Sequence, residues 1–381
     1  MTSLCRRAGA LLLCGCLLAA GLPAGIARAE TDAASAPEVS ARAAAVVEAS
    51  AARRLYEKNG STRLPMASTT KVMTALLAAE NGVLTDLVET PDAAVGTEGS
   101  SIYLARGERM ALSDLLYGLM LSSGNDAALT IAAHIGGSVE DFCAMMNARA
   151  AEMGCTDTHF VNPNGLPHDA HYTTACDLAL IAAHAMQNAT VRTVASTRYH
   201  TAESGDYART FKNKNKILWQ YDGGNGVKTG FTKAAGRCLV FSAERNGMTL
   251  VGALLDAPDL WNDAAALLDY GFSLVENAPL VDAARPLGVV PVTGAVQKEL
   301  AVALKCDILY PLRRDGTDEV GFALALAGSL RAPVTAGTKA GTLTLYVNGA
   351  AAGVYDVVVT EDAPMAGLAD RLRQIAAEWA G

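Results

Sequence analysis

Strand-like segments lie at both ends of a long helical stretch in this chain, and that order limits the folds open to it. Near the start, Val46-Val47 and Leu55-Tyr56 flank a short, mostly polar stretch and read as a hairpin followed by Asn59-Gly60. Far downstream, the apolar run Cys238 to Ala243, a turn at residues 245–247 and a second run from Met248 to Leu254 read as an antiparallel meander. Between them the pattern is mainly helical. Ser68 opens an apolar helix, Ser113 precedes Leu115, Leu116, Leu119 and Met120, and the helical period recurs over residues 126–135, 139–153 and 174–186. Residues 262–275 return to helix. A sheet fed from both ends of such a segment must be flanked by its helices, which is an α+β arrangement with an antiparallel sheet.

With 381 residues and 51% apolar content, the chain is expected to build about two or three real cores. Residues 1–29 read as a secretory signal: Arg6 and Arg7, the apolar stretch from Ala8 to Ala20, then Ala27-Arg28-Ala29 as a cleavage site. Gly21, Pro23 and Gly25 argue against a membrane span there. Leu13-Cys14-Gly15-Cys16 loosely resembles a lipoprotein box, the variant in which Cys16 is lipidated. Small and polar residues over 30–45 suggest a tether, and residues 46–276 a first domain carrying the chemistry. Over 277–362, short apolar runs at fairly regular spacing with an Asn348-Gly349 turn predict a small all-β, sandwich-like domain. Residues 364–381 form an amphipathic tail, with Leu368, Leu372, Ile375 and Trp379 on one helical stripe. Its charges, Asp370, Arg371, Arg373 and Glu378, cancel, so a membrane surface and the β domain both remain open as its resting place.

Cleavage after residue 29 removes three arginines and no acid, which leaves 28 basic and 39 acidic residues, a net charge of −11. Nucleic acid is excluded as a natural partner, and an anionic ligand must rely on local cations. Cys143, Cys155, Cys176, Cys238 and Cys306 remain, an odd and scattered set that favours buried free thiols over a zinc site or a disulfide framework.

Chemistry concentrates in three short motifs. Ser68 and Lys71 stand three residues apart, on one helical face, and Lys71 is followed by Val72, Met73, Ala75, Leu76 and Leu77. Apolar surroundings disfavour an ammonium ion, so Lys71 could stay neutral, take the proton of Ser68 and activate it as a nucleophile. Free N–H groups at the helix start could face a developing oxyanion. In LSSGNDAA, Ser123 and Asn125 occupy a turn between helices, where one can relay protons and the other can grip an amide, unless they simply cap the next helix. In GVKTGFT, Lys228 supplies a cation, Thr229 and Thr232 supply hydroxyls for a carboxylate, and Gly230 lets a ligand approach the backbone of a strand open to strand addition.

The motifs S-x-x-K, S-x-N and K-T-G, in this order, together with PMASTTKVMTALLA, DLLYGLMLSSGNDAA, FVNPNGLPHDAHYTTACDLALIA, VKTGFTKAAGRCLV and LLDYGF, resemble the serine-type D-alanyl-D-alanine carboxypeptidases, the low-molecular-mass penicillin-binding proteins. The likeness is strong over residues 45–275 and looser beyond. It implies a β-lactamase-like or penicillin-binding-protein-like catalytic domain, release of the terminal D-alanine from peptidoglycan stem pentapeptides through an acyl-enzyme, and acylation by β-lactams. It further implies Ser68 as nucleophile, Lys71 as base, Ser123 in a proton relay and Asn125 on the peptide backbone. Lys228 is implied to tune the relay and Thr229 to bind the terminal carboxylate, with the oxyanion on the N–H groups of Ser68 and Phe231. No cofactor or metal is implied, and His168 and His171 are read as a polar loop near the cleft. An exported protein at the outer face of the cytoplasmic membrane follows from the signal and tail. Two departures are evident: Leu260-Trp261 where the family often carries an arginine, and Cys176 where an arginine is common. A β-lactamase, a transpeptidase and a noncatalytic peptidoglycan-binding or penicillin-sensing module are the rival readings, and the missing E-x-x-x-N loop between Asn125 and Lys228 speaks against the first.

Overall fold

The computed structural model describes residues 35–380; the signal segment, Cys16 and the first part of the tether lie outside the described residues. Five strands make the central antiparallel sheet: β1 (Ala43–Glu48), β2 (Arg53–Lys58), β3 (Gly224–Thr232), β4 (Gly236–Arg245) and β5 (Met248–Leu255). They lie in the order β2-β1-β5-β4-β3, so the first hairpin joins the meander through β1 and β5 and leaves β3 at an edge.

Both faces of this sheet are covered, which is why β4 and β5 read as continuous apolar runs rather than alternating ones. Cys238, Val240, Val251, Ala253 and Leu255 face one core, whereas Leu239, Phe241, Leu250 and Leu254 face the other. Opposite Phe241 in the ladder stands Gly252, where an added Cβ would lie 2.2 Å from the ring, so the large side chain fits only against a glycine. On the second face, the helix Leu260–Leu274 seals the sheet with Leu260, Ala264, Leu267 and Leu268, a stripe at helical spacing.

The first core holds α1 (Lys71–Asn81), α2 (Asn125–Gly136), α3 (Val139–Glu152) and α4 (Ala175–Gln187). Every residue of α1 from Lys71 to Ala78 is buried, so this stretch of helix is covered on all sides by its core. Thr174 caps α4 by accepting the Asp177 N–H, and Ser138 caps α3 through Asp141 N–H.

Order starts earlier than the tether reading allowed. Val39 and Ala41 are buried and β1 begins at Ala43, because alanines that look like low-complexity linker are the small side chains a sheet covered on both faces requires. The chain forms two compact units, and the second one interrupts the first: residues 308–317 belong with the unit that ends at Leu280, through a strand Ile308–Arg313 paired with Val275–Val281. A single boundary at 276/277 therefore misses that return.

In the other unit six strands form one sheet in the order Val320–Leu326, Lys339–Val347, Ala350–Val359, Glu299–Leu304, Gly288–Thr293, Leu330–Arg331. The unit is all-β up to a terminal helix, Leu368–Ala380, with its strands joined in this one sheet. Among the described residues, Cys143, Cys155 and Cys238 are buried, Cys176 is half-buried and Cys306 is exposed, all as free thiols.

Candidate active site

Ser68 sits in a 3-10 turn, Ala67–Thr70, that leads directly into α1. The turn is held from three sides. Thr69 and Thr70 donate their hydroxyls to the carbonyls of Met66 (2.6 Å) and Ala67 (2.8 Å). Ala67 itself adopts a left-handed conformation, φ 48°, and Gly165 lies so close that an added Cβ would meet the Ala67 carbonyl oxygen at 1.9 Å. Edge strand β3 closes the third side, for a Cβ on Gly230 would lie 3.1 Å from the backbone nitrogens of Ser68 and Thr69. Gly230 is thus needed because a side chain there would crowd the amide expected to face an oxyanion.

Lys71 has no solvent exposure. Its Nζ lies 3.0 Å from Ser68 Oγ, 2.6 Å from Asn125 Oδ1 and 2.6 Å from the Asn164 carbonyl oxygen. Both carbonyl oxygens can only accept. A neutral amine has two N–H donors and one lone pair; with the donors spent on Asn125 and Asn164, the lone pair is left for the Ser68 hydroxyl to donate into. Burial first, and the nearby Lys228 charge second, hold the lysine's protonation well below its usual range, so the neutral form that this count requires is also the one the surroundings favour.

Lys228, on β3, is likewise buried and donates to the Thr229 carbonyl at 2.9 Å; burial and the Lys214 charge push it down to about 7. Ser123 follows a π-helical turn, Gly118–Ser122, in a left-handed conformation with φ 69°, an uncommon geometry for a side chain of its kind, and reaches the same cleft as Ser68. No side chain caps α2, so the capping alternative for Ser123 and Asn125 is not what the fold uses. Thr229, Gly230 and Phe231 complete one wall of a cleft of about 600 Å³, with the Phe231 ring turned to solvent.

Contacts bear on two of the expected roles. Asn125, expected to grip the substrate, also has contacts within the protein: its Oδ1 accepts from Lys71 and its Nδ2 donates to the Glu98 carbonyl at 2.5 Å. Thr232 accepts the Ala235 N–H at 3.0 Å in the β3–β4 turn and stands outside the cleft lining, so its hydroxyl serves the hairpin. Asn164, Lys214 and Arg237 carried no role in the sequence reading. The first is found only through a backbone carbonyl, which leaves no side-chain signature. Arg237, from β4, lines the cleft beside Leu260 and Trp261, so the wall that lacks the family's usual arginine has a guanidinium from another strand.

His171 is buried rather than part of a polar loop surface, and its ring stands behind the Ala67–Thr70 turn. Val161 N–H donates to Nδ1 (3.1 Å), which fixes the proton on Nε2, and that N–H donates to Thr70 Oγ1 (2.8 Å). Burial pushes His171 down to about 4 from an ordinary 6.5. Between those values the unfolded chain binds a proton that the folded one refuses, so this contribution to stability is complete above about pH 6.5 and falls away as the pH drops toward 4, by about 3 kcal/mol. A His171→Gln variant is expected to show a flatter decline of Tm between these pH values than the parent; parallel declines would mean the ring does not titrate in this way.

Comparison with known proteins shows the family and the fold. A family model described as D-alanyl-D-alanine carboxypeptidase, peptidase S11, matches residues 30–259, and one for the C-terminal domain of penicillin-binding protein 5 matches residues 276–364. D-alanyl-D-alanine carboxypeptidase DacF of Bacillus subtilis is 32% identical over 379 residues, covering 97% of each chain. The crystal structure of the carboxypeptidase DacD from Francisella tularensis superposes with a TM-score of 0.62 at 25% identity, over 87% of this chain and 95% of that one. The Streptomyces K15 DD-transpeptidase gives 0.59 at 37% identity, over 62% of this chain and 99% of its own.

Proposed function

Since the chain belongs to the D-alanyl-D-alanine carboxypeptidase family, peptidase S11, we propose that it releases the terminal D-alanine of peptidoglycan stem pentapeptides and that Ser68 is the residue acylated on the way. The observation that carries this reading is the hydrogen-bond count around Lys71, which leaves one lone pair aimed at one hydroxyl. Ser68 Oγ attacks the penultimate carbonyl carbon as its proton passes to Lys71 Nζ, and the oxyanion rests on the N–H groups of Ser68 and Phe231. The proton then moves, with Ser123 as relay, to the nitrogen of the departing D-alanine, and the C–N bond breaks. Water reverses the sequence on the ester and frees the shortened peptide. Thr229 and the Lys228 charge face the terminal carboxylate, and β-lactams enter the same pathway as acylating agents.

Incubating the protein with a pentapeptide ending in D-Ala-D-Ala, with and without an added amine acceptor, tests the reading. Free D-alanine and tetrapeptide are expected in both cases. Dominance of the amide product would make it a transpeptidase, the activity named for the K15 relative, and absence of any release would overturn catalysis altogether.

Export and membrane contact belong to the same proposal. No helix among the described residues is long and apolar enough to cross a membrane. The terminal helix shows Leu368, Leu372 and Trp379 at 77%, 58% and 90% exposure, so these three are not buried against the β domain and fit a membrane surface better. Deleting residues 364–381 is expected to shift the protein from the membrane to the soluble fraction of fractionated cells; unchanged partitioning would refute the anchor.

A further inference from the structure

The segment leading into β3 reads Phe211-Lys212-Asn213-Lys214-Asn215-Lys216, and the fold sorts it strictly: Phe211, Asn213 and Asn215 are buried, and the three lysines are exposed. The asparagines are the reason. Asn213 Nδ2 donates to the carbonyls of Ala195 and Thr197, both at 3.0 Å, its Oδ1 accepts the Asn215 N–H, and Asn215 Oδ1 accepts the Ile217 N–H. Pinned on that side, the segment can only turn its lysines outward. Although the chain is acidic overall, none of the three is in an ion pair with another of the described residues. Instead Lys214 donates to the Ser122 carbonyl at 2.9 Å, Lys212 lies 5.6 Å from the Tyr199 ring centre, and Lys216 5.8 Å from that of Trp261.

Lys214 and Lys216 line the catalytic cleft and also a neighbouring cavity of about 500 Å³, whose wall includes Lys212 and the partly exposed Trp219. The row of charge therefore starts inside the cleft and leads out of it. Unpaired cations on aromatic rings, next to a cleft for a peptide, suit carboxylates presented by a chain that already lies in that cleft.

We propose that Lys212, Lys214 and Lys216 form a carboxylate-binding subsite that selects acidic donor peptides, holding the free carboxylates they carry away from the cleaved end. This deepens the proposed function, and rests on it, by naming a charge preference for the substrate. Exposed single charges contribute modestly, so the double variant K212Q/K216Q, which leaves the Lys214 contact with Ser122 in place, is expected to lower the preference for acidic peptide about fivefold.

The experiment compares kcat/KM of the full chain for two pentapeptides ending in D-Ala-D-Ala, one with free carboxylates at its second and third residues and one with both amidated. The parent is expected to favour the acidic peptide, through KM and more strongly at low salt, and K212Q/K216Q to lose that margin. Equal falls on both peptides, or no fall, would overturn the subsite. If the parent cleaved neither peptide, the catalytic reading would fail separately, and binding titrated by tryptophan fluorescence would still decide: tighter binding of the acidic peptide, lost in K212Q/K216Q, supports the subsite, and equal binding overturns it. A variant that loses only its retention on a phosphodiester polymer, with the peptide ratio intact, would assign the row to a different ligand and overturn the proposal.

Discussion

A Ser68→Ala protein incubated with a penicillin gains no mass, and its release of D-alanine from pentapeptide falls by about a million-fold. The size of the loss follows from what the hydroxyl alone supplies. Ser68 Oγ is 3.0 Å from the Lys71 amine, and the two other groups that amine touches are carbonyl oxygens, which cannot form a stable ester by attack. Ser123 lines the same cleft, but the hydrogen bonds of the Lys71 amine go to Ser68, Asn125 and Asn164 and not to Ser123. The substitution removes one hydrogen bond of a half-buried side chain, so the fold, read by Tm, should hardly move. Intact-mass spectrometry of parent and variant after penicillin treatment is the measurement. An adduct retained on the variant, mapped to any other residue, would take the nucleophile away from position 68.

Legibility in the sequence followed chemistry more closely than geometry. Lys71 could be picked out because it is a charged residue in apolar company, and Ser68, Ser123 and Lys228 because S-x-x-K, S-x-N and K-T-G follow one another in this order; both signals survive in one dimension. The sheet, too, was visible in outline, because runs such as Cys238 to Ala243 are too apolar for a strand with a wet face. Ala43 to Ala45 were missed as strand because alanine carries little β propensity; they are buried by what packs above and below them, which no local pattern records. Asn164 was missed for a different reason. It holds Lys71 through its main-chain carbonyl, and a main-chain contact is blind to side-chain identity. His171 looked like a loop residue beside Pro167 and Asp169, whereas long-range packing on Phe160 and Thr70 turns it inward. The second all-β unit was readable from strand spacing, but the return of residues 308–317 to the first unit was not, since pairing partners lie far apart in the chain.

Proton transfer at Lys71 can be separated from its charge by two substitutions. Lys71→Arg keeps a cation that does not deprotonate in proteins, and Lys71→Met keeps neither charge nor base. If the amine acts as base, both lose acylation by about a thousand-fold or more; an arginine variant that kept its rate would show that a fixed charge suffices. Lys228 then supplies the pH test. Below about pH 7 it carries its charge in a dry pocket, and that charge opposes protonation of Lys71. Acylation needs neutral Lys71, so the parent's rate rises with pH as the amine loses its proton. In a Lys228→Met protein the repulsion is gone, Lys71 keeps its proton to higher pH, and the rising limb moves in the alkaline direction. The maximum also falls, because Thr229 and the substrate carboxylate lose their nearby cation. Second-order rates of labelling by a fluorescent penicillin from about pH 5 to 9 read both effects together. A limb that stayed in place, or moved toward acid, would mean that the two amines do not share one proton balance, and the neutral-base account of Ser68 activation would fall with it.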